Sequence, residues 1–151
     1  MAFLYEKERL ILVSALIISP KKELLLLHKI KHAQWEPPGG KVEESDCIDP
    51  KNPTLEDFGR AVKREVFEEI GDQITLDPLK YFGSAEGKTP SGRPALFHKF
   101  VSSITSGRPF IAEPHAFDAL TYIPIKELEK HHLSPDLPLF LKQLREHVKK
   151  M

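Results

Sequence analysis

Three carboxylates stand close together in the segment Arg64-Glu65-Val66-Phe67-Glu68-Glu69-Ile70-Gly71. On a helix, Glu65, Glu68 and Glu69 fall at i, i+3 and i+4, so all three share one face. Like charges at these spacings destabilise a helix by roughly 0.2–0.5 kcal/mol per pair. They also lie near the helix C-terminus, whose dipole disfavours anions. Helix stability alone would not select this arrangement, whereas a hard divalent cation would. Mg²⁺ is held by a few carboxylates and keeps water and substrate phosphate oxygens as its other ligands. The bland alternative is a solvated acidic face. Two neighbours argue against it: the Pro37-Pro38-Gly39-Gly40 turn upstream, where glycine admits close approach of backbone, and Arg64, whose planar fork can brace a carboxylate.

The acidic segment needs a helix to carry it. Thr54 with Asp57 three residues on predicts a capping box, and apolar residues then recur at Leu55, Phe58, Val62, Val66 and Ile70 before Gly71 closes the helix. Ahead of it, Leu10–Ile18 is a β-branched run ending at Ser19-Pro20, which predicts a strand buried on both faces. Residues 20–23 form a turn, and Leu24–His28 returns as the paired strand. Residues 31–53 have loop composition. Further strands are expected near 73–83, 95–104 and 117–123, a short helix near 125–130, and an amphipathic helix over Pro138–Lys149. The order predicts an α/β (α+β) sandwich with a mixed sheet.

The whole element resembles the box of the Nudix hydrolase family, written G-x5-E-x7-R-E-U-x-E-E-x-G-U with U aliphatic. Glu56, seven intervening residues and Arg64–Gly71 match in register, and Trp35–Glu43 is similar to the family's entry into the box. Two positions depart. Gly40 and Glu56 lie sixteen apart instead of six, an insertion of about ten residues assigned to Glu44–Pro53, where loops lengthen at small entropic cost. Asp72 stands where an aliphatic residue is expected.

The resemblance implies a MutT-like α/β/α sandwich and a magnesium-dependent hydrolase, with Mn²⁺ as a substitute. Its substrate would be a nucleoside diphosphate linked to another group: a nucleoside triphosphate or a nucleotide sugar. The alternative is a catalytically silent nucleotide-binding or regulatory module. The resemblance further implies that Glu68 and Glu69 are metal ligands, Glu65 a ligand or the base, and the Gly39 carbonyl a main-chain contact. Glu56 would pair with Arg64, while Gly40 and Gly71 shape the motif. Family members also use a base outside the box; Glu113 is the candidate here and Asp118 the alternative. Trp35 and Arg93 are candidate substrate contacts.

Other residues are read from composition. His28, Lys29, Lys31 and His32 form a basic cluster read as surface, His131-His132 lacks ligand spacing, and Phe82, Phe97, Phe100 and Phe117 are assigned to the core. The 151 residues fit one domain spanning 1–151. Lys+Arg and Asp+Glu balance at 22 each, so overall charge gives no reason to expect extended nucleic acid or membrane as a partner. Cys47 is the only cysteine, which excludes an internal disulfide. No run is long enough to span a membrane, and Leu10–Ile18 lacks the flanks of a signal peptide. The expectation is a cytoplasmic protein, monomer or homodimer, acting on a small nucleotide.

Overall fold

A computed structural model describes residues 2–151. Its central strand is β2 (Arg9–Ile17), buried along almost its whole length. Buried on both faces, β2 is also paired along both edges. One edge carries β8 (Pro94–Ser102) in parallel, and the other carries β1 (Tyr5–Glu6) and β5 (Gly39–Lys41) antiparallel. β7 (Lys80–Lys88) adds antiparallel to β8, which makes the sheet mixed.

The expected hairpin between β2 and the strand after it closes and then opens. Ile18 bridges Leu24, but β3 (Glu23–Lys29) goes on to pair with β10 (Phe117–Pro124) and β4 (Gln34–Glu36). With the edges of β2 already occupied, β3 founds a second sheet of order β10-β3-β4. The stretch read as loop therefore contains two short strands. Residues 34–41 cross from β4 in one sheet to β5 in the other, and a 3-10 turn follows at Glu44–Asp46. The segment expected as one strand over 73–83 is divided: β6 (Ile74–Leu76) pairs with β9 (Ile104–Gly107), and β7 starts afresh at Lys80.

Alternation along β2 and β3 distributes two cores. Ile11, Val13, Ala15, Ile17, Leu25 and Leu27 face α1 (Leu55–Ile70), whose Phe58, Ala61, Val62, Val66 and Ile70 meet them. Leu16, Leu24 and Leu26 face the opposite way, toward Leu144 and Val148 of α2 (Leu141–Lys149). Both sheets thus form one middle layer between two helices. The capping box is present as expected, with Thr54 and Asp57 exchanging side-chain-to-backbone bonds, and Gly71 ends α1 at φ 88°. The helix expected near 125–130 is a 3-10 segment, Ile125–Lys130. The last helix begins as a 3-10 turn at Leu137–Phe140. Among the described residues no helix is long and apolar enough to cross a membrane.

Candidate functional site

The Gly39-Gly40 strand β5 packs on the acidic face of α1, so the turn and the helix meet as their composition suggested. The Gly39 N–H donates to Glu69 Oε1 at 2.9 Å. A Cβ on Gly40 would stand 2.5–2.6 Å from the Glu65 carboxyl atoms, and one on Gly39 would stand 2.2 Å from the Val13 carbonyl oxygen. At Gly39 the obstacle is β2 itself, so glycine is a steric requirement there, whereas at Gly40 a side chain would displace only the Glu65 carboxyl.

The three carboxylates differ in depth: Glu69 is 7% exposed, the Glu65 side chain 14% and the Glu68 side chain 49%. Burial pushes the Glu69 carboxyl well above the usual range; the Gly39 N–H opposes this, while the charges of Glu65, Glu36 and Glu113 add to it. Glu65 is raised by burial too, against the lowering effect of Arg64. Glu65 and Glu69 thus set like charges where water screens them poorly, with Glu68 beside them at the surface. A bound cation would relieve that cost, and the all-carboxylate oxygen set suits Mg²⁺. Among the described residues no ready-made cage of His, Cys, Asp or Glu is present. The acids are held instead by protein donors, Glu69 by Gly39 and the other two by Arg64.

Arg64 is the hub of these contacts. It reaches Glu65 Oε1 at 2.9 Å and Glu68 at 3.3 Å, and donates to the Lys41 carbonyl at 3.2 Å. Its strongest partner is Asp46, engaged through both oxygens at 2.9 and 2.8 Å. This fork raises the arginine pKa. The expected partner, Glu56, makes no such contact and lies exposed in the first turn of α1. The reason is register. Asp46 stands six residues after Gly40, where the motif expects its first acid, with Asp in place of Glu. The extra residues therefore follow Asp46 and do not lie within Glu44–Pro53 as a whole. Arg60 reinforces the turn by donating to the Asp46 carbonyl at 3.2 Å.

The remaining candidates separate. Glu113 lies close enough for its charge to raise Glu69, and its neighbour Ala112 donates to the Glu69 carbonyl at 3.0 Å. Asp118 is drawn off to His28, 2.7 Å away. Trp35 packs against the α2-side core and the edges of His28 and His131. Arg93 sits at the exposed end of the β7–β8 hairpin and donates to the Tyr5 hydroxyl at 2.8 Å. Of the basic cluster, Lys29 and His32 line a cavity. Asp72 is exposed, and the Phe110 ring covers Gly71 beside it. Burial, with Asp57 and Asp46 nearby, raises the Cys47 thiol, the opposite of an activated cysteine.

That cavity, of roughly 230 Å³, occupies the gap where β2 and β3 part, and its rim includes Gly39 and Gly40. Sequence reasoning missed most of its polar lining: Ser14, Gln34, Glu36, Lys99, Ser134 and Asp136. Burial raises the Glu36 carboxyl, with Lys29 and Gln34 lowering it in part. A signal for Lys99 existed, since strand alternation puts it on the same side as buried Ala95 and Phe97.

Comparison with known proteins agrees with this geometry. A family model described as the NUDIX domain matches residues 8–144. No curated protein matches at significant similarity. Among solved structures, the chain is similar to a MutT NUDIX hydrolase from Burkholderia pseudomallei, at 23% identity and TM-score 0.63, covering 80% of this chain and 86% of that one. It is similar to a MutT protein from Methanosarcina mazei Go1 at 20% identity and TM-score 0.71, covering 96% and 99%. A third is the NUDIX domain of Shewanella oneidensis NrtR complexed with ADP ribose, at 16% identity and TM-score 0.68, covering 95% and 90%.

Proposed function

Because the chain belongs to the NUDIX family of pyrophosphohydrolases, we propose that it hydrolyses a nucleoside triphosphate or nucleotide sugar with magnesium held on the acidic face of α1. Glu65, Glu68 and Glu69 hold the metal, joined by the Gly39 carbonyl, and Mn²⁺ substitutes for Mg²⁺. When bound, the metal neutralises the diphosphate and makes a water more acidic. Water oxygen bonds to one phosphorus as the bridging P–O bond breaks; the bridge oxygen leaves on the other phosphate and a proton is released. Glu113, on the segment against the end of α1, takes that proton, with Glu65 as the alternative acceptor. Arg64, fixed by Asp46, holds Glu65 and Glu68 in position. One unit domain over 1–151 carries all of these parts.

The observation that carries this reading is the close packing of Gly39-Gly40 on Glu65 and Glu69. It gathers buried like charges for which the fold supplies no cation of its own beyond Arg64. The test measures products by mass over a panel of nucleotides, with and without magnesium, for the wild type and Glu69→Gln. Turnover that needs magnesium and collapses in the variant is expected. Equal background in both proteins would remove the proposal's support.

A further inference from the structure

The end of α1 is clamped by the segment between β9 and β10. The Phe110 N–H donates to the Ile70 carbonyl at 3.1 Å, and the Ala112 N–H to the Glu69 carbonyl at 3.0 Å. Ile111, between them, packs against the α1-side core. The Phe110 ring lies on Gly71, where φ is 88° and an added Cβ would stand 2.3 Å from ring Cε1. Gly71 is thus both the helix stop and the seat of the ring.

Capping explains part of this strap, since the last carbonyls of a helix need donors. It does not explain the ring. Phe110 is 46% exposed, so its burial is a modest gain. The apolar side chain that the motif places after Gly71 is missing, Asp72 being exposed there, and a ring from a distant loop covers the helix end instead. What the strap carries is Glu113, the residue after Ala112. The Glu113 carbonyl accepts from the N–H groups of Ala116 and Phe117 at 3.0 and 3.1 Å, and Phe117 is buried at the start of β10. The backbone around Glu113 is therefore fixed on both sides, by Ala112 against Glu69 and by the turn into β10. Its carboxylate is near enough to Glu69 for its charge to be felt there. Glu69 is itself held twice, through its carbonyl by Ala112 and through its carboxylate by Gly39.

We propose that Phe110 is a positioning residue: its ring, seated on Gly71, locks the 110–112 strap so that Glu113 stands at a fixed place beside the Glu69 end of the acidic site. This rests on the hydrolase reading given above, in which Glu113 takes the proton of the attacking water, and deepens it. Two backbone bonds at the end of a helix open by local unfolding unless something packs over them. The ring supplies that cover, and Phe110 acts only through the residue the strap carries. A base must lie within hydrogen-bond reach of the proton it takes, and a displacement of about 1 Å can cost about 10²-fold in rate.

Two readings test this, one of them without metal or substrate. Amide hydrogen exchange in the magnesium-free protein should find Ala112 protected in the wild type. In Phe110→Ala its exchange should rise about tenfold, with Val66 inside α1 unchanged. Phe110→Tyr, which keeps the ring, should behave as the wild type. The second reading is turnover, with magnesium, of the nucleoside triphosphate or nucleotide sugar hydrolysed fastest in the panel above. Phe110→Ala should lower kcat about tenfold and leave KM within about twofold. In a Glu113→Gln background the same substitution should change kcat by less than about twofold, because the two residues act in one step. If Phe110→Ala does not fold, Phe110→Leu, which keeps bulk without the flat ring, is judged by the same two readings. The proposal is overturned if Ala112 exchange or kcat is unchanged, or if losing the ring costs as much without Glu113 as with it. Unchanged turnover in Glu113→Gln overturns it too, and leaves the hydrolase reading standing on Glu65. A wild type without magnesium-dependent turnover refutes the hydrolase reading instead, and the exchange of Ala112 then decides whether the ring locks the strap.

Discussion

Asp46→Ala tests the architecture of the site at the contact that register assigned to a different residue. The Asp46 carboxylate accepts three bonds: two from Arg64, at 2.9 and 2.8 Å, and one from the Glu43 N–H at 2.9 Å. A hydrogen bond to a charged group is worth about 1.5–3 kcal/mol, and stranding one member of a fully buried pair costs about 3–5 kcal/mol. Arg64 keeps Glu65, Glu68 and the Lys41 carbonyl, and its side chain is 25% exposed, so the lower part of that range applies. The expected loss is about 2–3 kcal/mol, which at about 2–4 °C per kcal/mol in a chain of this size lowers Tm by roughly 4–12 °C. Glu56→Ala, at an exposed position, should stay within about 0.5 kcal/mol. The sign with pH is fixed. Burial works to raise Asp46, but Arg64 and the Glu43 N–H bring it below its ordinary 3.8. Its contribution is therefore present above about pH 4 and is lost as pH falls through the lower native value. Urea titrations of both variants at pH 7 and pH 3 measure this. A harmless Asp46→Ala beside a costly Glu56→Ala would refute the reasoning.

Three further outcomes are expected. Glu69 is raised by burial, so the metal-free native state binds a proton that the unfolded chain has released; stability should fall as pH rises from about 4.5 toward the native value and level off above it. Glu69→Gln removes this component, so in EDTA at pH 8 it should unfold at higher urea than the wild type, with the order reversed by saturating magnesium; a less stable variant in EDTA would contradict the account. Gly40→Ala meets only the movable Glu65 carboxyl, so it should fold with a Tm near wild type yet lose roughly 10²-fold in magnesium-dependent turnover, whereas Gly39→Ala meets the Val13 carbonyl and should unfold early in a thermal scan. Replacing Ile48–Asn52 with a short glycine linker should shift stability by no more than about 1 kcal/mol and leave turnover in place, since Ile48 is 87% exposed and loop length is a weak term; abolished turnover would give the inserted residues a part in the site.

The features legible in the sequence were those set by local rules. The capping box, the apolar spacing of α1, its Gly71 end and the run of β2 each follow from neighbours a few residues apart. What escaped depended on distant edges. Leu24–His28 reads as the partner of β2 until β8, β1 and β5 take both edges of β2, facts spread over residues 5 to 102. The Arg64 partner was missed for another reason. Counting back from Arg64 reaches Glu56 and counting forward from Gly40 reaches Asp46, and the sequence holds an acid at both. Geometry decides between them: a 3-10 turn with its own capping box delivers Asp46 to the guanidinium, while Glu56 serves the positive end of the helix it starts.

That substitution explains how an interrupted motif can remain whole. The loop Cys47–Pro53 enters after the turn that fixes Asp46 and before the Thr54 cap that restarts the helix, so both ends of it are sealed by side-chain-to-backbone bonds. Ile48 N–H and Arg60 both reach Asp57, which ties the loop's start to the first turn of α1. Asp57 is held below its ordinary value chiefly by the Thr54 N–H, with burial opposing, so it stays an anion that can accept from the cap and the loop together. Length has been added where the backbone is already committed on either side, and the Gly39, Arg64 and Glu69 contacts do not cross it. Lys99 and Asp136 lie on β8 and on the segment before α2, outside the box, and form an ion pair of their own that makes no hydrogen bond to Arg64 or Glu69.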